Sequence, residues 1–351
     1  MLKNLKPLVV IMLFAASILS TNFGYGQTEA DRTKLGYAVQ KNDVAAVKDL
    51  LSKGTDPNKT HDKETPLVLA IKQKNDEIFN LLMNAKGIKI DAMSTFIWTG
   101  NGSKYTNNAL MQAVDQKNKE YVRILLEKGA NPDLFDKNVT QPGDITMGYN
   151  AIMHSIMLNS PEGVEMTKML IEKAKNINIQ CTYNPDGKLT SLILACKFPL
   201  YNEVSKTMMK KGANLELAGA DNPGVTAAGQ AIMGSNPEML KYLLDNGAKL
   251  DDKKDKAFLH LAMALGVENL ESIKILLDAG VDPNVRFSSS KYPVINYGVK
   301  CKNIKVLELM IERGADVNAK DGIGQSVLKY AKGGKKVKKN VALLIKHGAK
   351  E

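Results

Sequence analysis

Five glycines in the C-terminal part of the chain recur at a nearly constant interval. They are Gly212, Gly247, Gly280, Gly314 and Gly348, at spacings of 35, 33, 34 and 34 residues. Each follows two apolar residues and then two residues that are polar, except for Ala279 before Gly280. In this pattern the apolar pair ends a helix, and the glycine stops it by adopting the left-handed conformation that other residues resist. Repetition at this period predicts a solenoid of stacked units.

The same ending occurs earlier in the chain, at Gly54 and Gly129. Two weaker copies have the glycine replaced: one spans residues 81–86, and the other ends at Ala174. Together the endings predict nine repeats over about residues 31–351, numbered here first to ninth. Because no single unit can bury its own apolar face, we expect each repeat to be stabilised by its neighbours.

A short opening lies roughly twenty residues before each ending, as in Thr65-Pro66-Leu67-Val-Leu-Ala70 and Ala257-Phe-Leu259-His260-Leu-Ala262. With these phrases the chain resembles the ankyrin repeat family, whose units open Thr-Pro-Leu-His-x-Ala and close Leu-Leu-x-x-Gly-Ala-Asp. Only the opening at Thr65-Pro66 keeps the Thr-Pro pair, and only His260 keeps the histidine. The resemblance implies an all-α ankyrin repeat solenoid of about nine helix-turn-helix units with finger-like connecting turns.

We expect the solenoid to form one domain over residues 27–351. Its repeats are regular over about 226–351 and irregular, with long connections, over about 65–225. Small residues recur where paired helices approach closely, at Ala38, Ala70, Ala113, Ala195, Ala231 and Ala262. Lys41-Asn42 and Lys302-Asn303 are placed at turns between helices, where asparagine tolerates left-handed geometry. The lysines at 335, 336, 338 and 339, together with Asn340, predict a solvated cap on the last repeat.

Residues 1–26 carry a different pattern. Lys3 and Lys6 precede an apolar run over residues 8–19, and small or polar residues lead to Gly26. This order is typical of a secretory signal peptide that is cleaved after Gly26. The run is too short to span a bilayer comfortably, since a spanning helix needs about twenty residues; an uncleaved anchor is the alternative. We therefore expect a periplasmic or secreted protein of a Gram-negative bacterium, with no membrane insertion after cleavage.

The cysteine content agrees with export from a bacterium. Three cysteines in 351 residues do not make the disulfide framework that is common in small secreted eukaryotic domains. Cys196 is expected to be a small core residue. A single bridge between Cys181 and Cys196 is the alternative.

The residues that could carry catalysis are few and scattered. The four histidines fall in four separate repeats. His260 matches the family's structural histidine, whose ring bonds backbone across repeats, and His154 is expected in the core or groove. No His or Cys pair has metal-ligand spacing, and nothing resembles a nucleophile elbow or a Walker loop. We predict no enzyme, no catalytic residue, no cofactor and no metal.

The charge distribution argues against a nucleic-acid partner. The formal net charge is +11, but the lysines are dispersed among aspartates and glutamates. Nucleic-acid binding needs a localised basic stripe, usually with arginine or aromatic residues between the charges.

Two connections are longer than the rest: residues 87–107, called here the first finger, and residues 133–149, the second finger. Long loops without a core of their own are usually functional or disordered. The candidate partner-binding residues in them are Phe96, Trp98, Asn101, Tyr105, Phe135, Gln141 and Tyr149. The alternative is that these rings fold back and cover the second to fourth repeats. Because the fingers follow consecutive repeats, we expect them to project side by side.

The resemblance implies a function in binding rather than catalysis. Ankyrin repeat arrays are interaction scaffolds that hold a protein partner through a concave face and extended fingers. We expect an exported monomeric scaffold whose protein partner the sequence does not identify. The alternative is a secreted effector or toxin-associated protein that uses the array to target a host or rival-cell protein.

Overall fold

The structure is a computed structural model that describes residues 33–97, 104–136, 138–139, 148–182, 188–217, 225–250, 255–333 and 338–351. The predicted signal peptide lies outside these residues, as do Trp98, Asn101 and Gln141. The chain divides into two compact units, Met1–Lys173 and Ala174–Glu351, called here the N-terminal half and the C-terminal half.

Four helix pairs build the N-terminal half. They are α1 (Lys34–Gln40) with α2 (Val44–Ser52), α3 (Pro66–Gln73) with α4 (Asp76–Met83), α5 (Ala109–Asp115) with α6 (Lys119–Glu127), and α7 (Ala151–Met157) with α8 (Pro161–Lys173). The first helix of each pair, the inner helix, packs on the inner helix of the next repeat. The second or outer helices pack likewise, α2 on α4 and α6 on α8.

Five helix pairs build the C-terminal half. They are α9 (Ser191–Cys196) with α10 (Asn202–Lys210), α11 (Ala227–Met233) with α12 (Pro237–Asp245), α13 (Lys256–Gly266) with α14 (Leu270–Asp278), α15 (Ile295–Gly298) with α16 (Ile304–Glu312), and α17 (Val327–Lys332) with α18 (Lys338–Lys346). A short 3-10 helix, Pro199–Tyr201, precedes α10. In the described residues, the two halves together hold the nine helix-turn-helix repeats that the glycine period predicts.

Five short strands lie in the described parts of the connections. They are β1 (Ser94–Ile97), β2 (Lys104–Asn107), β3 (Asn138–Val139), β4 (Cys181–Thr182) and β5 (Lys188–Leu189). The order of the first sheet is β1-β2-β3, and β4 pairs with β5 in a second, two-stranded sheet. The long connections are thus β-structured at their stems, which the helical pattern of the repeats did not predict.

Polar side chains begin most of the helices. A Thr, Asn or Ser before an inner helix accepts the N–H of the third residue after it, as at Thr33, Thr65, Asn108, Asn150, Thr190, Thr226 and Ser326. The turn before an outer helix contains a left-handed residue in most repeats, and Asn42 is one, with φ of 55°. The same prediction for Asn303 is wrong, because Asn303 caps α16 in extended geometry at φ of −79°.

Glycines end the helices as predicted, with φ between +79° and +94° at Gly54, Gly129, Gly212, Gly247, Gly280, Gly314 and Gly348. In the second repeat Ala85 takes the helix-ending bond, from its N–H to the carbonyl of Leu82. The left-handed glycine is nevertheless present two residues later, as Gly87 at φ +79°. The prediction that the second repeat lacks its glycine is therefore wrong. The glycine is present, but it lies two residues after Ala85, whose N–H makes the helix-ending bond.

A ladder of side-chain bonds identifies Gly87 as the equivalent glycine. Asn58 donates from Nδ2 to the carbonyl of Gly87 over 2.9 Å, and its Oδ1 accepts the N–H of Lys89 over 2.7 Å. The same two bonds are made by Asn178, Asn284 and Asn318. Each donates to the carbonyl of the glycine that ends the following repeat and accepts the N–H two residues after that glycine. These bonds fix the register of successive repeats within each half.

The core lies between the paired helices and between neighbouring repeats. All six alanines that were predicted at close helix contacts are buried, with at most 7% exposure. Across the outer helices, the rings of Phe79 on α4 and Tyr121 on α6 stack with centroids 4.2 Å apart. The Tyr121 hydroxyl donates to Asp76 over 2.5 Å, so the polar end of this buried ring is satisfied.

The last repeat corrects one element of the predicted cap. Lys338 and Lys339 are exposed, and the lysines at 335 and 336 lie outside the described residues. Asn340 is not part of a solvated face: it is 3% exposed and donates to the carbonyls of Val299 and Cys301. Its amide is turned inward because these carbonyls of the eighth repeat need donors where α18 covers them.

Candidate protein-binding surfaces

The two fingers of the N-terminal half form one sheet. In β1 and β2 the Cα partners include Phe96 with Tyr105 and Ile97 with Lys104. On its other edge, β2 pairs with β3, and Tyr105 lies opposite Asn138. The fingers therefore lie side by side, as expected for connections that follow consecutive repeats.

Buried polar side chains attach the first finger to the helices. Ser94 at the start of β1 is fully buried, and its hydroxyl accepts the N–H of Thr65, the cap of α3, over 2.9 Å. At the end of β2, Asn107 donates to Gln112 on α5 over 3.1 Å. Because both ends of the hairpin bond to helix-borne groups, the stem of the finger has a defined position on the repeats.

The second finger closes at its base around a histidine. Phe135 and Asn150 form an antiparallel bridge, and the N–H of Asp136 donates to the carbonyl of Tyr149 over 2.8 Å. The Asp136 carboxylate also accepts the N–H of Tyr149 over 2.6 Å. From α7, His154 places Nε2 3.2 Å from Asp136.

His154 joins this finger to the neighbouring repeat as well. Its Nδ1 lies 2.9 Å from Asp115 at the end of α5, so the ring stands between two carboxylates. Burial opposes a charge on His154, but the attraction and hydrogen bonds of Asp115 and Asp136 outweigh it and raise the pKa to about 10. The residue is thus an imidazolium at neutral pH. Its side chain is half-buried at the base of the second finger, and the charge is a feature that the sequence did not predict.

The predicted binding residues fall into two groups. The backbones of Phe96 and Tyr105 face each other in the finger sheet, and Phe135 and Tyr149 are half-buried at the base of the second finger. The other three, Trp98, Asn101 and Gln141, lie outside the described residues. The structure brings the stems of the two fingers together. That the seven residues bind a partner stays a prediction.

Two further histidines, His260 and His61, are buried and form hydrogen bonds that join neighbouring repeats. His260 is buried, and its Nε2 bonds the hydroxyl of Thr226 in the preceding repeat over 2.9 Å. The predicted contact across repeats is present, but its partner is a side chain rather than backbone. Burial lowers the pKa of His260 to about 4, so this ring is neutral at neutral pH. In the first connection, His61 is buried and accepts the N–H of Thr33.

The three cysteines are buried and form no disulfide with one another, so the alternative of a bridge between Cys181 and Cys196 is not realised. Cys196 is fully buried in α9, as expected of a core residue, and burial raises the pKa of its thiol to about 12. Across the described parts of the chain, no three His, Cys, Asp or Glu side chains converge as a metal site requires.

The C-terminal half contains an aromatic cluster that the sequence reading did not single out. We call it the aromatic strip, and its members are Phe258, Phe287, Tyr292, Tyr297 and Tyr330. Neighbouring ring centroids lie 5.3 to 6.1 Å apart. The rings come from α13, α15 and α17 and from the connection between the seventh and eighth repeats. The sequence gives one indication of this cluster, because three of the rings lie within residues 287–297.

The chain is similar in sequence and in structure to proteins of a known family. A family model for ankyrin repeats, in three copies, matches residues 35–136 and 217–287. The crystal structure of the human ASB11 ankyrin repeat domain superposes on 70% of this chain and on all of its own, with a TM-score of 0.54 at 20% identity. The period, the caps and the stacked pairs described above define the same architecture. The chain belongs to the ankyrin repeat family.

Relatives of known sequence agree with this assignment. A human protein named transient receptor potential cation channel subfamily A member 1 is 26% identical over 84% of this chain and 25% of its own length. An ankyrin repeat protein of fowlpox virus is 29% identical over 79% of this chain and 44% of its own. An ankyrin repeat-containing protein of Treponema pallidum is 31% identical over 34% of this chain and 40% of its own. The chain spans less than half the length of these relatives.

The family defines the general class of activity. Ankyrin repeats are typically protein-interaction modules, and the matched family and fold indicate no enzyme family. In the part of the chain that the structure describes, no helix is both long and apolar enough to cross a membrane.

Proposed function

We propose that this protein is an exported monomeric scaffold that captures a protein partner with the finger sheet of its N-terminal half. The observation that carries the proposal is the pairing of β2 with β3, which joins two long fingers into one surface. Binding sites are commonly carried by loops that a rigid scaffold positions. Here the stems are held by Ser94, Asn107 and His154.

The sole tryptophan tests the finger surface. If Trp98 is an anchor of the interface, Trp98→Ala weakens partner capture at least tenfold and leaves thermal unfolding nearly unchanged, since buried aromatic anchors contribute about 2 kcal/mol or more to binding. A matched control is Tyr37→Ala, which removes an aromatic ring that is 54% exposed on α1, outside the fingers. Equal losses from both variants would contradict the proposal.

The same variant separates binding from packing. If Trp98 instead covers the repeats, Trp98→Ala lowers the free energy of unfolding by about 3–5 kcal/mol, as large-to-small core substitutions do. The melting temperature and the affinity are therefore measured on one protein. The partner itself is sought by photo-crosslinking from Gln141, in envelope extract and in extract of a rival or host cell. Capture only from the foreign extract would favour the effector alternative.

Export rests on the pattern of Lys3, Lys6 and the apolar run over residues 8–19. We expect the protein recovered from the periplasm or medium to begin at Gln27, and N-terminal sequencing checks this. Recovery of Met1 on the soluble protein would contradict both the cleavage and the localisation. Light scattering on the same preparation tests whether the scaffold is a monomer.

A further inference from the structure

The aromatic strip of the C-terminal half is a second surface with the properties of a binding site. Phe258 is buried and anchors the strip, whereas Phe287, Tyr292, Tyr297 and Tyr330 are only half-buried. They form a continuous partly accessible row across three successive repeats in a chain that is only 6% aromatic. Half-exposed tyrosines combine a large apolar contact area with a hydroxyl that can bond a ligand.

The chain segment that carries three of the rings has charges of one sign. Residues 284–301 contain three basic residues and no acidic residue. Lys291 and Lys300 are exposed, and Lys300 Nζ lies 4.6 Å from the centroid of the Tyr330 ring. Over the described residues, neither ammonium group has a carboxylate within salt-bridge distance. Both cations are therefore available to a ligand.

Two aspartates in the neighbouring connections already accept hydrogen bonds. Asp255 accepts the N–H and the hydroxyl of Ser288 over 3.0 and 2.8 Å. Asp321 accepts the N–H groups of Ile323 and Gln325 over 3.1 and 2.9 Å. Because these acids bond the connections that flank the strip, they stabilise the connections and form no ion pair with Lys291 or Lys300 among the described residues.

We propose that the aromatic strip binds an acidic segment of a partner protein, with apolar or aromatic side chains on Tyr292 and Tyr297 and carboxylates at Lys291 and Lys300. Charge complementarity of this kind sets specificity and accelerates association. A nucleic acid fits less well, because the rings meet edge to face at 84° and 81° and so cover part of the faces on which bases would stack. The inference rests on the scaffold function proposed above and adds a second surface with its own partner chemistry.

The test uses the full chain and a phage-displayed library of random short peptides. We expect the enriched peptides to have net negative charge and at least one aromatic or large apolar residue. Their affinities are then measured by fluorescence anisotropy. The double variant Lys291→Glu with Lys300→Glu is expected to weaken binding about tenfold or more, because both cations become repulsive. The matched control reverses two exposed lysines of the outer helices α14 and α16, Lys274→Glu with Lys305→Glu, and should change affinity less than about twofold.

The aromatic contribution is tested separately. Tyr297→Leu is expected to weaken binding about tenfold, and Tyr297→Phe to retain most of it, since the ring supplies the contact. Melting temperatures are measured for every variant, and the charge variants report on the site even where Tyr297→Leu is unstable.

Several results would overturn the inference. The library result contradicts it if neutral or basic peptides are enriched, or if no peptide is enriched. The variants contradict it if the two charge-reversal pairs weaken binding equally. Tighter binding of a single-stranded oligonucleotide than of the acidic peptides would also contradict it. Failure of the strip is distinguishable from failure of the scaffold proposal. If partner capture requires Trp98 but is unchanged by the substitutions at Lys291 and Lys300, only the proposal for the aromatic strip is contradicted. If neither set of substitutions affects capture, the proposed scaffold function is contradicted as well.

Discussion

The charged histidine at the base of the second finger makes a measurable contribution to stability, and its sign with pH can be worked out. His154 has its pKa raised to about 10 in the folded protein, against 6.5 for the free side chain. A raised pKa means that the folded state holds the proton more tightly. The stabilisation is therefore fully present below about pH 6.5 and is lost as the pH rises through about 10.

The magnitude follows from the two carboxylate contacts. The interval between the two pKa values corresponds to about 5 kcal/mol, at about 1.36 kcal/mol per unit. Asp115 is 40% exposed, so water screens its part of the attraction, whereas Asp136 is largely buried. We therefore expect His154→Gln to lower the free energy of unfolding by about 2–3 kcal/mol at pH 6.5, the range of one or two charge-assisted hydrogen bonds.

The assay is chemical denaturation followed by circular dichroism at several values between pH 6.5 and pH 10.5. Subtracting variant from wild type removes the titration of lysines and tyrosines that both proteins share. The difference should shrink steadily above pH 7 and be small by pH 10.5. His347→Gln, at an exposed site after α18, serves as the control and should show little difference at any pH. A deficit for His154→Gln that stays constant across this range would refute the charged assignment.

Three further outcomes follow from the packing. Asn340→Ala should cost about 1–3 kcal/mol in thermal or chemical unfolding because two buried carbonyls lose their donor, while Lys339→Ala should change stability by less than about 0.5 kcal/mol. Gly234→Ala should be strongly destabilising, since an added Cβ would lie 1.8 Å from the carbonyl oxygen of Lys197. Gly266→Ala meets nothing within 4 Å and should be neutral or slightly stabilising in the same assay. The three thiols should resist a thiol reagent at pH 8 in the native protein and react fully in guanidinium; rapid native labelling would contradict their burial.

The asparagines of the side-chain ladder were not predicted, although their spacing is visible in the sequence. The ladder residues Asn58, Asn178, Asn284 and Asn318 stand four positions after the residue that ends a repeat, a spacing as regular as the glycines themselves. An amide at this position can donate to a carbonyl and accept an N–H together, which suits it to bridge two backbones. With this second marker, the displaced Gly87 of the second repeat could have been found without coordinates.

Local chemistry explains why the fold was predictable. The helix stops depend on glycines that tolerate left-handed geometry, and the helix starts depend on capping side chains three residues from their N–H partners. The alanines at helix contacts follow from the same repeat. Each interaction spans a few residues or one period, so repetition of the pattern determined the stacked helix pairs of each half.

Only the tertiary structure decided where separate connections meet. The pairing of β2 with β3, the position of His154 between Asp115 and Asp136, and the contact of Tyr292 with Tyr330 all join residues of different repeats. None of these contacts recurs with the period, because the fingers differ in length and sequence from one repeat to the next. Repetition determined the scaffold, whereas the surfaces depend on non-repeating side chains that stacking brings together, and such long-range contacts leave no periodic mark in the chain.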